Sequence, residues 1–448
     1  MKKFWQTYIS PLFFTVRWNA AVVSVVVLFV ARFFIVWLGY VPYIALVVLI
    51  VLFAYDYLSL FITTKGLLGE RKHADRFSNG DENTVRIELE NKYPFAISCQ
   101  IIDEIPFQFQ RRDVLFHISL EAGQSNHLEY NLRPVKRGSY DFGTMNIFVS
   151  STIGLINRRY QFHQPATVPV YPSYMQMRKY QLMAISNRLT EVGVKKIRRL
   201  GHSMEFEQVK EYVQGDDYRT LNWKATARKG QLMVNNFTDE KSQQVYCVID
   251  KGRVMKMPFE GMSLLDYAIN ASLVLSNVAL LKQDKAGLVT FSEQIGASLA
   301  ASSRPVQMES ILEVLYNQKT RYLESDFEKL YTHLRRKINQ RSLVVLFTNF
   351  ESLTGMQRHL PYLRKIASHH LLVTVFFENT ELKAVVSSEA KNTEDVYLKT
   401  VAEKFAYEKR LIAKELQQYG ILSILTPPQD LTVNTINKYL ELKARQAI

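Results

Sequence analysis

The run "NAAVVSVVVLFVARFFIVWLGYVPYIALVVLIVLFAYDYLSLFI", residues 19–62, constrains the chain most, because it is almost wholly apolar over twice the length of one bilayer span. A spanning helix needs about 20 apolar residues. Gly39 and Pro42 punctuate the middle, so the run divides into Ala20 to Leu38 and Val41 to Ile62, a tight transmembrane hairpin after a short tail at 1–18. A cleaved signal peptide has a much shorter apolar core. Lys2, Lys3 and Arg17 precede the first span, Lys65, Arg71 and Lys72 follow the second, and the turn is uncharged. The positive-inside bias then places both ends, and the soluble parts, on the cytoplasmic side of a cell (inner) membrane. Arg32 is mid-span, where a charge costs roughly 2.5–3.5 kcal/mol unless it snorkels or pairs; it has the choice of reaching outward or of meeting Asp56.

At 448 residues the chain exceeds one ordinary core, so further domains are expected. Its 56 Lys+Arg against 42 Asp+Glu give a net +14, yet the basic residues are scattered and partly flank the spans. No compact Lys/Arg stripe with interleaved aromatics argues for nucleic acid. The two cysteines, Cys99 and Cys247, each sit in a strand-like run without zinc spacing, as buried reduced thiols do.

A linker at 63–79 leads to a β-rich domain at 80–168. There "TVRIELEN", "ISCQIIDE", "VLFHISLE", "HLEYNLRP", "MNIFVSS" and "YQFHQP" alternate with period two between turn residues, which predicts a β-sandwich. "KRGSYDFG" reads as a joint whose glycines, Gly138 and Gly143, make tight turns, and "SSTIGLINRR" as a strand leaving the sheet. Residues 169–242 form a charged connector, whose cluster Lys195, Lys196, Arg198 and Arg199 reads as a solvated or membrane-facing surface.

From 243 to 448, continuous apolar runs ("VYCVID", "AGLVTFS", "SLVVLFT", "LLVTVFF", "ILSILT") alternate with amphipathic helices, the pattern of a doubly wound α/β domain. Ligands of such sheets bind at the strands' carboxyl ends, here around Asp250–Val254, Phe291–Glu293, Thr348–Glu351 and Glu378–Thr380. No phosphate-cradling glycine loop occurs, which excludes the common nucleotide folds.

The stretch "MEFEQVKEYVQGDDYRTLNWKATARKGQLMVNNFTDE", followed by "VYCVID", resembles the signature of the DUF58 family. Glu205, Phe206, Tyr212, Gly215, Asp216, Asp217, Arg219, Trp223, Ala227, Arg228 and Leu232 fall in register with it, and the "RGSYDFG" stretch and paired spans are similar too. The resemblance implies a membrane-anchored protein with a von Willebrand factor A-like domain, often linked to MoxR-type AAA+ ATPases, with no reaction assigned. Metal-binding A domains carry Asp-x-Ser-x-Ser after the first strand and Thr-Asp after a later one. Here Asp250 is kept, but Gly252 and Val254 stand at the serine positions and Asn349 at the aspartate, and Lys251 and Arg253 flank the remaining carboxylate. Since Mg²⁺ takes a near-octahedral set of hard oxygens with one or two carboxylates, a degenerate site without metal or cofactor is expected. Thr320 or Ser325 is the candidate replacement hydroxyl.

Asp216 and Asp217 pose the question of catalysis. Neighbouring side chains point apart on a strand or a helix, so adjacent carboxylates rarely meet on one atom. The structural reading has Gly215 making a turn, one carboxylate capping the following helix, Arg219 pairing with the other and Trp223 anchoring the segment by burial, with "RKGQLMVNNF" a turn and edge strand leading into the sheet. The expected function is therefore a non-enzymatic adaptor at the cytoplasmic face with a protein partner, an AAA+ ATPase by the resemblance, and no small-molecule substrate identified. The alternative is a metal-dependent hydrolase using Asp216, Asp217 and Asp250.

Overall fold

The computed structural model describes residues 5, 9–111, 115–185, 204–214, 216, 218–239, 242–320, 323–388, 392–445 and 447. The Lys195–Arg199 cluster, Gly215 and Asp217 lie outside them. The chain forms two compact units, residues 1–171 and 172–448.

In the first unit, helices Val16–Phe34 and Val41–Phe61 are long and apolar enough to cross a bilayer. The first begins four residues ahead of the expected Ala20, because the Thr15 side chain accepts the Trp18 amide and caps it there. Gly39 takes the left-handed backbone (φ 45°) and Pro42 opens the second helix. Arg32 stacks on Tyr43, 4.6 Å from the ring centre. It does not take the Asp56 option. Asp56 is fully buried and accepts hydrogen bonds from the Ser151 hydroxyl and from the amides of Leu155 (2.9 Å) and Ile156 (3.1 Å). The end of the same helix is closed by Arg158, which donates to the carbonyls of Leu60, Thr63 (2.6 Å) and Thr64 (3.2 Å), a cation placed where the helix dipole is negative.

The β-domain sets a five-stranded sheet, in the order Leu12–Phe14, Ile156–Phe162, Met145–Ser150, Ile97–Asp103 and Leu115–Leu120, beside two three-stranded sheets built mainly on Asn83–Asn91 and Ala166–Tyr171. Val85, Ile87 and Leu89 share one core with Cys99, Ile101, Ile147 and Val149, the inward residues of alternating strands. Two expectations are corrected here. "KRGSYDFG" contains a strand, Gly138–Phe142, since Tyr140 and Phe142 bury at i and i+2 and the backbone pairs with Ala166–Tyr171. "SSTIGLINRR" does not leave the sheet: after a turn at Gly154 (φ 69°), Ile156–Phe162 pairs on both sides.

In the second unit a six-stranded sheet runs Ile295–Ser302, Lys285–Phe291, Gln244–Asp250, Leu343–Phe347, Leu371–Phe377, Leu422–Thr426, parallel except for the antiparallel first strand. Val245, Cys247 and Ile249 face one layer of helices (Leu264–Leu281, Gln307–Tyr316, Leu431–Ala444); Tyr246 and Val248 face the other (Phe327–Lys337, Leu353–His369, Thr393–Gln418). Leu264–Leu281 matches a membrane span in length and apolarity, but nearly all of it is buried as the central helix of this core, started by a Ser263–Asp266 capping box. Within the stretch read as a connector, helix Tyr174–Ile185 contributes Tyr180 to that core.

Candidate functional site

Two places in the second unit gather the residues singled out by sequence: the carboxyl edge of the sheet and the ribbon that precedes its first strand.

At the edge, Asp250 ends the central strand and is wholly buried. One oxygen takes the Ser325 hydroxyl and the Gly252 amide (2.8 Å), and the other takes the Thr348 hydroxyl (2.7 Å). Ser325 is therefore the hydroxyl that the sequence left open, and Thr348, which the sequence named only as the start of the Thr348–Glu351 edge, follows directly on the strand Leu343–Phe347 and supplies a second. Burial pushes the Asp250 carboxyl above the usual carboxylate range, opposed by the bonds from Ser325, Thr348 and Gly252. A Cβ on Gly252 would lie 2.1 Å from the Ser325 oxygen, so Ser325 fills the space that a side chain at 252 would take. Val254 turns toward the helix-packed core. Asn349 accepts from the Lys409 ammonium at 2.6 Å, a residue with no place in the sequence reading because it comes from a helix 60 residues on. Arg253 reaches past Asp250 to Glu324 (3.8 Å) and Glu351 (3.9 Å), and Arg358 also meets Glu324 (3.5 Å).

A divalent cation would find one carboxylate here, already holding three donors, with Glu324, Glu351 and Asn349 held by Arg253, Arg358 and Lys409. Among the described residues no three His, Cys, Asp or Glu side chains are grouped for a metal. These residues do not fit a hard-oxygen octahedral site. A cavity of about 100 Å³ opens beside Asp250, bordered by Ser325, Thr348 and His359, and Asp216 does not border it. His359 stacks on Phe327 at 4.3 Å, a packing role.

The ribbon pairs Met204–Glu211 with Met233–Asp239, placing Glu205 opposite Thr238. It is a separate two-stranded sheet, which corrects the expectation of an edge strand feeding the large one. Its tip is a folded unit. Asp216 accepts the Val213 amide (3.0 Å) and the Lys210 ammonium (2.9 Å), and these hold its carboxyl below the usual range. It caps no helix. Asn222 does that, accepting the Ala225 amide (3.0 Å) to start Trp223–Lys229, which ends on Gly230 in the left-handed region (φ 72°). Tyr212 donates its amide to Leu232 (2.8 Å), and the Met233 amide meets the Thr226 hydroxyl (3.0 Å), tying both flanks together. Arg219 lies 5.9 Å over the Tyr218 ring, and Arg228 is in the last turn of the short helix.

The anchoring role given to Trp223 is wrong. The ring is 69 % exposed and Tyr218 is 68 % exposed, with Val213 and Leu232 also in solvent. The seven-residue helix is tied down through Asn222 and Thr226, and neither of these ties uses the indole. Sequence gave little sign of this, since tryptophan is ordinarily well buried.

Fold and edge together define a class: a parallel-sheet α/β unit with a polar, self-satisfied carboxyl edge, in a chain that also carries a β-sandwich and two apolar helices. The chain matches the family described as "Protein of unknown function DUF58" over residues 208–403. It is homologous to the uncharacterized protein YeaD of Bacillus subtilis (strain 168), 28 % identical over 180 residues, 38 % of this chain; the match spans 44 % of that relative's length. Among solved structures, the conserved hypothetical protein BatB from Bacteroides thetaiotaomicron is similar over 46 % of this chain and all of its own (11 % identity, TM-score 0.32). The PapD-like domain 7 of human CEP192 is similar over 24 % of this chain and 87 % of its own (12 % identity, TM-score 0.19).

Proposed function

We propose that this protein is a non-catalytic interaction module, anchored by its two apolar helices with its soluble parts on the cytoplasmic face of the cell membrane, and that its von Willebrand factor A-like unit docks a protein partner through the ribbon tip. The observation that carries the reading is the exposure of Trp223 and Tyr218 on a tip held rigid by backbone and side-chain hydrogen bonds. Exposed aromatics with arginines close by, here Arg219 over Tyr218 and Arg228 in the short helix, are the composition of interface hot spots, and Lys224 and Lys229 add to the positive charge of the segment. A tip that lost nothing by burying its aromatics would have done so, because each large apolar ring is worth roughly 1.5–3 kcal/mol on full burial. The partner we propose is an AAA+ ATPase of the MoxR type, whose acidic surface residues would meet these cations.

Photo-crosslinking from position 213 or 232, both exposed at the tip, in native membranes tests this. An ATPase recovered from both positions, and lost with Tyr218→Ala and Trp223→Ala together, is the expected result. Crosslinks to lipid alone would remove the protein-docking reading, and crosslinks to a protein of another kind would remove the ATPase.

A further inference from the structure

On the sheet's carboxyl edge, next to the Asp250 cluster, a second and larger cavity of about 280 Å³ opens between the sheet and helices Thr380–Ser387 and Thr393–Gln418. Phe259, Phe377 and Leu425 form its apolar wall, and Phe405, 44 % exposed, stands at its mouth. Polar groups enter it from a few directions, as in ligand pockets, whose usual range begins near 300 Å³. Lys409 and Arg410 lie on one side, and among the described residues neither has a carboxylate within 4.0 Å. The acidic residues that also border it are otherwise engaged or outward: Glu351 is reached by Arg253 (3.9 Å), Glu378 by Lys383 (4.0 Å), and Glu381 is exposed in a helix's first turn. The Lys409 ammonium donates to a neutral group, the Asn349 amide oxygen, and lies 5.9 Å over the Phe376 ring, while the Glu351 carboxylate, beyond ion-pair distance, offsets its burial only in part. Burial holds its amine down at about 8, against 10.5 for an ordinary lysine, so a cation there is under-compensated.

We propose that this cavity binds an apolar group bearing a carboxylate, its apolar part seated against Phe259, Phe377 and Phe405 and its carboxylate paired with Lys409. A one-residue apolar side chain beside a peptide's terminal carboxylate and a short free fatty carboxylate share this chemistry. Neither depends on the ribbon tip, so the inference stands apart from the docking proposed above.

Calorimetry on the full chain in lipid nanodiscs, with empty nanodiscs as the blank, separates the outcomes. The probes are hexanoate, hexanamide, acetyl-Gly-Gly-Leu with a free carboxyl end, and the same peptide amidated. At least one carboxylate probe is expected to bind below about 1 mM, with its amide at least ten-fold weaker. Lys409→Met should erase that preference while leaving residual apolar binding, and Ala406→Trp, which fills the cavity, should abolish both. Hexanoate binding alone assigns a free amphiphile; peptide binding alone assigns a protein carboxyl terminus. Absence of binding by either carboxylate, amides that bind equally, or an unchanged Lys409→Met would overturn the proposal.

Discussion

At the sheet edge Asp250 is sealed from solvent with both oxygens occupied by Ser325, Thr348 and the Gly252 amide, whereas 69 % of Trp223 at the ribbon tip faces solvent. Both places hold the residues that draw attention in the sequence, and they use them in opposite ways. The edge satisfies its polar groups internally and so has little left for a cation. The tip satisfies its backbone internally and leaves its aromatics over. Internal hydrogen bonding thus marks a structural centre in one case and a rigid presenting surface in the other.

The sharpest way to break this contrast is Asp250→Ala. It leaves two hydroxyls and one amide facing an emptied buried space, for which on the order of 2–4 kcal/mol of lost stability is expected. Amide hydrogen exchange along Gln244–Asp250 reads this locally, which suits a chain of several units better than one melting temperature. Unchanged protection there would mean that the edge is not a structural centre. Asp250→Asn keeps the shape and one acceptor oxygen and should cost less.

A second, smaller effect concerns Lys409. Its folded value near 8 lies below the ordinary 10.5, so between those pH values the unfolded chain holds more protons than the folded one. Stability contributed by this group therefore rises with pH across that window and is flat below it. Wild type should gain on Lys409→Met between pH 8 and pH 10, and the ¹³C resonance of a methyl-labelled Lys409 should titrate near 8. A midpoint at the ordinary lysine value would show the amine to be solvated and would separate the large cavity from any charge argument.

How far these features could be read from the sequence follows from how far apart their partners lie. The helical hairpin is legible because apolarity and the Gly39–Pro42 break are local, and even its error at Thr15 is a matter of one cap. The continuous apolar strands of the second unit are legible for the same reason. Asp56 is one of two options the sequence offers Arg32, yet its own donors include Ser151 and Leu155, 95 and 99 residues away, which no local pattern contains. The Ser325–Asp250 bond spans 75 residues and the Lys409–Asn349 bond 60. Trp223 fails differently. The expectation rests on a general preference for burying tryptophan, which says nothing of this particular ring, 69 % exposed on its seven-residue helix.

Asn222→Ala sharpens the other side of the contrast. Losing the cap of Trp223–Lys229 should cost about 1 kcal/mol, confined to exchange at the tip, because no core residue of the sheet touches that hydrogen bond. Protection lost along Leu343–Phe347 as well would show the ribbon to be part of the sheet's cooperative unit.

The smallest expected change in stability is the most telling. Trp223→Ala removes the largest side chain of the tip, and for a buried tryptophan the loss would be about 3–5 kcal/mol. With most of the ring in solvent and no hydrogen bond holding the short helix through it, the change should stay within about 0.5 kcal/mol. Exchange protection at Met233 and Val234, both buried under the tip, is the readout that isolates this from the rest of the chain. If protection there falls as it would for a core residue, the indole is a structural anchor after all, and the tip has no surplus aromatic surface to offer a partner. If protection holds while the crosslinked partner is lost, the same residue is inert in folding and decisive in binding, the combination that separates a presenting surface from a joint.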